Sequence, residues 1–271
     1  MVRIVFWNVN RADLTNLVCS LAETTSADVI VLNETVVPSQ TTLKRLHKEV
    51  STQFFVPRAI CEKRFHCFCR NRALSLTEVH SGFRFSIRTL SVSSKPTLLA
   101  LVHGVDIQNY DTEERQSFAQ SLAGELQFVK EKFRTNRLIV MGDFNMNPFD
   151  RGMNLAAGLN AMMTKACVLP GTRRYLDKDY DLYYNPTWSL LGDLSDGPPG
   201  TIYNTSRRGP YGWSMLDQVI LSHSVVGLFG GVRIITTTDA DSLLDRNGLP
   251  DSRNASDHLP VMLELRDESN D

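Results

Sequence analysis

Residues 138–145 read Leu-Ile-Val-Met-Gly-Asp-Phe-Asn, an apolar run that passes directly into a glycine and two polar residues. A short, wholly apolar run followed by glycine is typical of a strand that is covered on both faces. Asp143 and Asn145 come directly after it, and strand ends are where α/β folds commonly place their sites. The stretch therefore predicts a central buried strand, Leu138 to Met141, that leads into a polar site.

The same arrangement occurs at four other places, where an Asn, Asp, Glu or His directly follows an apolar run. A single such residue commonly caps a turn. Several converging carboxylates, however, would repel one another unless a cation lay among them. His103, near the end of another predicted strand, adds a sixth polar group. The four segments are Trp7-Asn8-Val9-Asn10, Leu32-Asn33-Glu34, Leu216-Asp217-Gln218-Val219 and Ser256-Asp257-His258-Leu259-Pro260.

Around these segments, the chain alternates short β-rich runs with a few helices. A helix is predicted over 12–24, and a longer one over 111–133 with Asp111 or Thr112 as its N-cap. Its buried stripe would be Phe118, Leu122, Leu126 and Val129. Residues 169–213 are rich in Gly, Pro, Tyr and Asp and predict mostly loop. Strands are predicted over 2–7, 28–32, 53–56, 65–69, 73–79, 83–90, 97–105, 138–141, 216–221 and 261–265.

The composition excludes several classes of protein. The 271 residues include 29 basic and 30 acidic side chains, a formal charge of −1, which argues against a protein that coats nucleic acid by bulk charge. Hydrophobic residues make up 42% and charged residues 22%, as in folded globular proteins. No apolar run approaches the roughly 20 residues of a membrane span. Asn8 and Asn10 interrupt the first apolar stretch, so we expect no signal peptide.

The five cysteines form no disulfide framework, and their odd number indicates a reduced, intracellular protein. Cys61, His66, Cys67 and Cys69 cluster in the sequence, so zinc is conceivable. No second pair of ligands completes a four-ligand site, however. In a strand, Cys67 and Cys69 share one face, so we interpret them as buried thiols.

The order of these strand-end motifs carries a resemblance. Two motifs are the most specific, Gly142-Asp143-Phe144-Asn145 and Ser256-Asp257-His258-Leu259-Pro260. With them the sequence resembles the endonuclease/exonuclease/phosphatase superfamily, which includes DNase I-like and AP-endonuclease-like enzymes. The resemblance runs from Trp7 to Leu265. It implies an α/β fold, a four-layer sandwich in which two mixed sheets pack face to face between helices. We therefore expect a single domain over 1–271, with 268–271 as a disordered tail.

The resemblance also implies a metal centre. Glu34 would be the principal ligand of Mg²⁺ or Mn²⁺, and Asn8 would position the metal or a neighbouring carboxylate. Asp257 would be a second acidic ligand, direct or through water. Mg²⁺ suits such a site because it keeps several waters and takes only one or two carboxylates.

The catalytic roles that the resemblance implies fall on five residues. Asp143 would orient or deprotonate the attacking water, and Asn145 would contact the phosphate. His258 would be a general acid or base, and Asp217 would fix its tautomer. His103 would contact the phosphate as well. Its partner would be Glu62, unless Glu62 is a surface carboxylate paired with Lys63 or Arg64.

Arg-rich and aromatic loops suggest the substrate, because a phosphate backbone requires cations and splayed bases stack on aromatic rings. The alternative is that these side chains are solvated or belong to the core of an ordered loop. We predict a Mg²⁺- or Mn²⁺-dependent nuclease acting on DNA or RNA. Its rivals are a phosphatase or phosphodiesterase of small or lipid phosphates, and a non-catalytic binding member of the family. The oligomeric state is left open. The candidate substrate residues are Arg173, Arg174, Arg207, Arg208, Tyr203 and Trp213.

Overall fold

The structure is a computed structural model that describes residues 1–60, 64–93, 95–205, 211–239 and 241–268. Short 3₁₀ turns span Arg72–Leu74 and Pro186–Leu190. The helices are α1 (Thr15–Thr25), α2 (Ser39–Glu49), α3 (Thr112–Phe133), α4 (Arg151–Asn154), α5 (Lys165–Val168) and α6 (His223–Val226). The strands are β1 (Val2–Asn8), β2 (Val29–Asn33), β3 (Phe65–Cys69), β4 (Glu78–Ser81), β5 (Phe85–Val92), β6 (Lys95–His103), β7 (Leu138–Asp143), β8 (Ala161–Met162), β9 (Thr172–Tyr175), β10 (Lys178–Asp181), β11 (Tyr183–Tyr184), β12 (Ile202–Asn204), β13 (Gly212–Ser214), β14 (Asp217–Ser222), β15 (Phe229–Ile234) and β16 (Val261–Leu265).

Two mixed sheets form the centre of the molecule. The first sheet has the strand order β15-β16-β1-β2-β3, and the second has the order β4-β5-β6-β7-β14-β11-β8. The pairs β9-β10 and β12-β13 form separate hairpins. The predicted mixed α/β architecture with two large sheets is therefore confirmed.

The side chains of β7 show why its sequence is apolar as far as Met141. Ile139 and Met141 belong to the core between the sheets, together with Phe6 and Leu263 of the first sheet. The alternate residue Val140 points to the opposite face of its own sheet and packs in a second core. Since successive side chains of a strand point to opposite faces, a strand between two covered faces has no position for a polar residue until it ends.

Helices cover the outer face of each sheet. Residues of α1 and α2, such as Leu21 and Leu46, pack with Trp7 and Ile30 of the first sheet. Leu126 of α3 packs in the outer core of the second sheet. The order of layers is therefore helix, sheet, sheet, helix, as predicted.

The long helix starts where the sequence indicated. Asp111 is the N-cap: its carboxylate accepts a hydrogen bond from the backbone N–H of Glu114 at 2.9 Å. The Glu114 carboxylate accepts the backbone N–H of Asp111, also at 2.9 Å. This capping box satisfies two donors that a helix start otherwise leaves unpaired. Ala119 is fully buried in the stripe, whereas Phe118 is only partly buried.

Strand direction places several polar residues at one edge. β1 and β2 are parallel, with Asn8 beside Asn33. β6 and β7 are also parallel, with His103 beside Asp143. β14 runs antiparallel to β7 and begins at the same edge, with Asp217 opposite Asp143.

The structure differs from the sequence prediction mainly in short or polar elements. Residues 53–56 make only one isolated bridge, from Phe55 to Cys69. The predicted strand 73–79 begins only at Glu78, after a 3₁₀ turn. The expected loop 169–213 contains the short strands β9 to β13. Strands of two to four residues are stabilised by the strands beside them rather than by their own β-propensity. Their sequences therefore give little indication that they are strands.

Two longer elements were missed. Helix α2 buries only Ser39, Thr42 and Leu46, two of which are polar, so it shows no apolar stripe. Strand β15 contains the consecutive glycines Gly230 and Gly231 and lies at the edge of its sheet. Glycine pairs normally indicate a turn.

Cys67 and Cys69 are buried in the core between the sheets and form no disulfide within the described residues, while Cys61 lies outside them. Glu268, the first residue of the expected disordered tail, forms ion pairs with Lys95 and Arg137. Residues 269–271 lie outside the described part. Within the described part, no helix combines the length and the apolar character needed to cross a membrane.

Gly142 tests the close contact between β6 and β7. An added Cβ there would lie 2.0 Å from the carbonyl oxygen of Val102, a backbone atom. We expect Gly142→Ala to lower the free energy of unfolding by about 1–3 kcal/mol or more. Gly124→Ala is the control, because nothing lies within 4 Å of the added atom and alanine favours a helix by about 1 kcal/mol. Urea unfolding measures both, and a Gly142→Ala protein as stable as the wild type would contradict this packing.

Candidate active site

Polar side chains from both sheets meet at the shared edge and line one cavity of about 440 Å³. Asp217 lies directly behind one of them, His258, with which it is hydrogen-bonded. The two sheets contribute different residues because the ends of four of their strands and the starts of two others converge here. The cavity-lining residues that the sequence predicted are Asn8, Glu34, His103, Asp143, Asn145, Asp257 and His258.

The loop before β16 is fastened to the end of β1. The indole N–H of Trp7 donates to the carbonyl oxygen of His258 at 2.8 Å. The Ser256 hydroxyl donates to the carbonyl oxygen of Asn8 at 2.7 Å. Both contacts are buried, so they hold His258 in place while most of the loop's backbone is outside the sheet ladder.

His258 and Asp217 form a buried pair. The His258 Nδ1 and the Asp217 Oδ2 are 2.8 Å apart, and both side chains are at least nine-tenths buried. Burial alone would lower the pKa of His258, but the carboxylates of Asp217, Asp143 and Asp257 raise it to about 10. Because Asp217 occupies Nδ1, the other ring nitrogen, Nε2, is left for the cavity.

Asp143 is held by three donors. Its Oδ1 accepts the backbone N–H of Asn145 at 2.8 Å, and its Oδ2 accepts the Asn8 amide at 3.1 Å. The Asn145 amide also reaches Oδ2, at 3.3 Å. Burial raises the pKa of Asp143, and the charge of His258 opposes that rise only in part. Asn145 has a left-handed backbone (φ 52°), which Asn tolerates better than most residues.

Glu34 accepts one hydrogen bond from its own sheet and one from across the gap between the sheets. Its Oε1 accepts the Asn8 amide at 3.1 Å and lies 3.2 Å from His103 Nε2. The hydrogen bond from His103 is the largest influence on its carboxyl group and holds the pKa of Glu34 at about 2. Glu34 also has a left-handed backbone (φ 53°), an uncommon conformation for glutamate, directly after β2.

The second ring nitrogen of His103 has a partner that the sequence did not indicate. Its Nδ1 lies 3.0 Å from Nη1 of Arg64. A guanidinium only donates, so Nδ1 accepts and Nε2 carries the proton that faces Glu34. His103 thus orients the Glu34 carboxylate. The predicted partner, Glu62, lies outside the described residues.

The donor set fits a hard divalent cation. One oxygen or nitrogen each of Glu34, His103 and Asp143 lie within 4.8 Å of one another, and so do ligand atoms of Asp143, Asp217 and His258. Carboxylate oxygens are the ligands that Mg²⁺ and Mn²⁺ prefer. Asp257 lines the same cavity but belongs to neither group, so its role as a second ligand stays a prediction.

Tyr203 and Trp213 lie beside the cavity on the hairpin β12-β13. They face each other across the hairpin, with ring centroids 5.3 Å apart. The cavity is lined instead by Ile202, Asn204 and Ser214 of the same hairpin. A role of the two aromatic rings in substrate binding therefore stays a prediction.

The two predicted arginines that the structure describes, Arg173 and Arg174, do not line the cavity. Arg173 and Arg174 lie on the hairpin β9-β10, which leaves the second sheet beside Ser222, at the end of β14 opposite to Asp217. Arg173 donates to the carbonyl oxygen of Asn154 at 2.9 Å. Arg207 and Arg208 lie outside the described residues. Arg11, Arg64 and Arg84, which were not among the predicted substrate residues, lie nearer, in a second cavity adjoining the first.

The sequence matches the model of a known protein family. A family model described as the Endonuclease/Exonuclease/phosphatase family matches residues 5–258. No curated protein sequence is significantly similar to the chain.

Solved structures share the fold at low sequence identity. A truncated Caenorhabditis elegans TDP2 is 14% identical, covers 98% of this chain and 97% of its own, and has a TM-score of 0.58. A D. rerio TDP2 complexed with single-strand DNA product is 18% identical, covers 98% of each chain and has a TM-score of 0.57. A Bacteroides thetaiotaomicron mannosyl-6-phosphatase is 13% identical, covers 98% of this chain and 99% of its own, and has a TM-score of 0.58.

Removing the charge of Glu34 tests the cation site. We expect Mg²⁺ or Mn²⁺ to raise the Tm of the wild-type protein, since a ligand at 100 times its Kd adds about 2.7 kcal/mol to stability. Glu34→Gln should lose most of that gain. Glu131→Gln, on the exposed face of α3, is the control. Equal stabilisation of Glu34→Gln and the wild type in a thermal melt would remove Glu34 from the site.

Replacing Asp217 tests the electrostatics of the buried pair. Without its carboxylate, the pKa of His258 should fall, by about 1 to 3 pH units. The wild-type pKa is raised, so the stability from the pair is present below pH 6.5 and is lost as the pH rises towards 10. NMR titration of the His258 ring in wild type and Asp217→Asn measures the difference. An unchanged pKa in the variant would show that Asp217 does not control the ring.

Proposed function

Because this chain belongs to the Endonuclease/Exonuclease/phosphatase family, whose members are hydrolytic phosphoesterases, we propose that it is a metal-dependent phosphodiesterase that cleaves a nucleic acid strand. The observation that carries the proposal is the buried pair of His258 and Asp217 beside Asp143, at the wall of a cavity that Glu34 also lines. A histidine fixed by a carboxylate next to a second carboxylate is an arrangement suited to moving protons at a phosphate.

Each of these residues has a separate role in an in-line attack of water on phosphorus. Asp143 orients the water and accepts its proton, and Asn145 hydrogen-bonds the phosphate oxygens. His258, protonated through its pair with Asp217, donates from Nε2 to the oxygen on which charge develops. His103 holds the Glu34 carboxylate in place through Nε2.

Glu34, together with Asp143 and with Asp257 at the cavity wall, would hold the divalent cation. When bound, the cation supplies positive charge that stabilises the developing charge on the phosphate and favours the ionised form of Asp143. Asn8, which donates to both Glu34 and Asp143, keeps these two carboxylates at a fixed spacing.

A nucleic acid strand is the substrate that the surroundings favour. The catalytic cavity continues past Glu34 and His103 into the second cavity, whose lining includes three arginines, the kind of cation that a polyanion requires. D. rerio TDP2, which has the same fold, is complexed with a single-strand DNA product. The mannosyl-6-phosphatase has that fold too, and for this reason substrate class is tested separately from chemistry.

The test uses Asp143→Ala and His258→Ala with single-stranded DNA and RNA oligonucleotides in Mg²⁺ or Mn²⁺. Loss of a proton-transfer group should reduce turnover by about 10²–10⁴-fold, with an unchanged circular dichroism spectrum. His223→Ala, at the opposite end of β14, is the control. Full turnover by either variant would overturn the assignment of the site.

A second arm separates the substrate from the chemistry. The wild-type protein is given an inositol phosphate and a sugar 6-phosphate beside the oligonucleotides. Hydrolysis of these small esters without cleavage of any oligonucleotide would retain the phosphoesterase site and refute the nucleic acid substrate.

A further inference from the structure

The second cavity has a volume of about 630 Å³ and shares a wall with the catalytic cavity. Glu34, His103 and Asp106 line both, so a chain-like ligand passes from one to the other without crossing the body of the protein. The volume is ample for a unit of the size of a nucleotide, since pockets for small ligands span about 300–1,000 Å³.

The sign of the charge changes between the two cavities. The described residues that line the catalytic cavity include four carboxylates and neither Lys nor Arg. The second cavity has Arg11, Arg64 and Arg84 against the carboxylates of Glu34 and Asp106. Arg11 is largely exposed, 3.7 Å from Glu34, so its guanidinium retains capacity for another anion. The second cavity therefore favours an anionic group that the first would accept only with a cation bound.

The wall of the second cavity also contains a buried amide without a partner. Asn33 is 0% exposed, and neither its Nδ2 nor its Oδ1 is hydrogen-bonded within the described residues. Buried amides are normally paired, because leaving one unsatisfied is unfavourable. A donor and an acceptor together suit a ligand with both kinds of group, such as a base or sugar, better than a bare anion.

An exposed aromatic ring lies beside two of these arginines, although it is not itself among the residues that line the cavity. Phe83 is 74% exposed, which is unusual for a side chain of this size. The guanidinium carbon of Arg64 is 5.4 Å from the ring centroid, and that of Arg84 is 5.2 Å away. An aromatic ring with two adjacent guanidiniums matches the two parts of a nucleotide, which are a stacking face and a phosphate.

We propose that the second cavity binds the nucleotide next to the scissile phosphate of a single-stranded nucleic acid. The base stacks on Phe83, Arg64 and Arg84 lie towards its phosphate, and the Asn33 amide hydrogen-bonds the unit from the wall. The inference rests on the proposed nuclease function and adds to it a defined strand path and an aromatic stacking residue.

The experiment measures binding of a fluorescent single-stranded oligonucleotide by anisotropy, with Mg²⁺ and in a His258→Ala background that suppresses turnover. Phe83→Ala in that background should raise the Kd about tenfold, as expected for the loss of one stacked base. Phe83→Trp should restore binding, and its added indole fluorescence should be quenched by the oligonucleotide.

Phe133→Ala is the matched control. Phe133 is another exposed phenylalanine close to a cation, Lys132, but it ends α3 near Pro96, at the far end of β6 from His103. The Kd of Phe133→Ala for the oligonucleotide should equal that of the His258→Ala parent.

The outcomes separate the two proposals. If the parent binds the oligonucleotide and the wild type cleaves it, but Phe83→Ala binds as tightly as the parent, the stacking site is refuted and the nuclease stands. If the parent does not bind and the wild type cleaves no nucleic acid, both proposals fail.

Discussion

The hydrogen bond between His258 and Asp217 joins the two sheets of the molecule, and the rest of the site is arranged around that junction. His258 precedes the last strand of the first sheet, whereas Asp217 begins a strand of the second. Asn8 reaches Asp143 in the same way, and Glu34 meets His103. Three polar contacts thus cross the same edge, directly above an apolar core that both sheets share. The cavity lies where the side chains between the two sheets change from apolar to polar.

The position of this edge determines the electrostatics. Burial raises the pKa of Asp143, while hydrogen bonds from His103 and Asn8 lower that of Glu34. These two carboxyl groups share one donor, the Asn8 amide, yet their surroundings shift their pKa values in opposite directions. A divalent cation between the carboxylates would compensate the buried charge and favour the ionised form of both. The second cavity needs no such compensation, since its arginines already exceed its carboxylates.

Much of this arrangement could be predicted from the sequence because it depends on local patterns. The apolar run 138–141 and the polar residues after it are contiguous, so the strand and its end are visible together. The contact between Arg64 and His103 is different, because it joins residues 39 positions apart. Arg64 directly precedes β3 of the first sheet, whereas His103 ends β6 of the second. Helix α2 lacked an apolar stripe, and the unpartnered state of Asn33 depends on packing alone. Local charge selected Arg173 and Arg174 rather than Arg84, because a count of charges does not indicate which edge of a sheet a loop leaves.

The central claim is that the residues joined across this edge direct water to phosphorus in one displacement. The most direct measurement is the stereochemical course at phosphorus, using a chiral phosphorothioate diester hydrolysed by the Mg²⁺-loaded protein in ¹⁸O-labelled water. A single in-line attack predicts incorporation of the label with inversion of configuration. Retention of configuration would require a covalent intermediate on the protein and would contradict the roles given to Asp143 and His258.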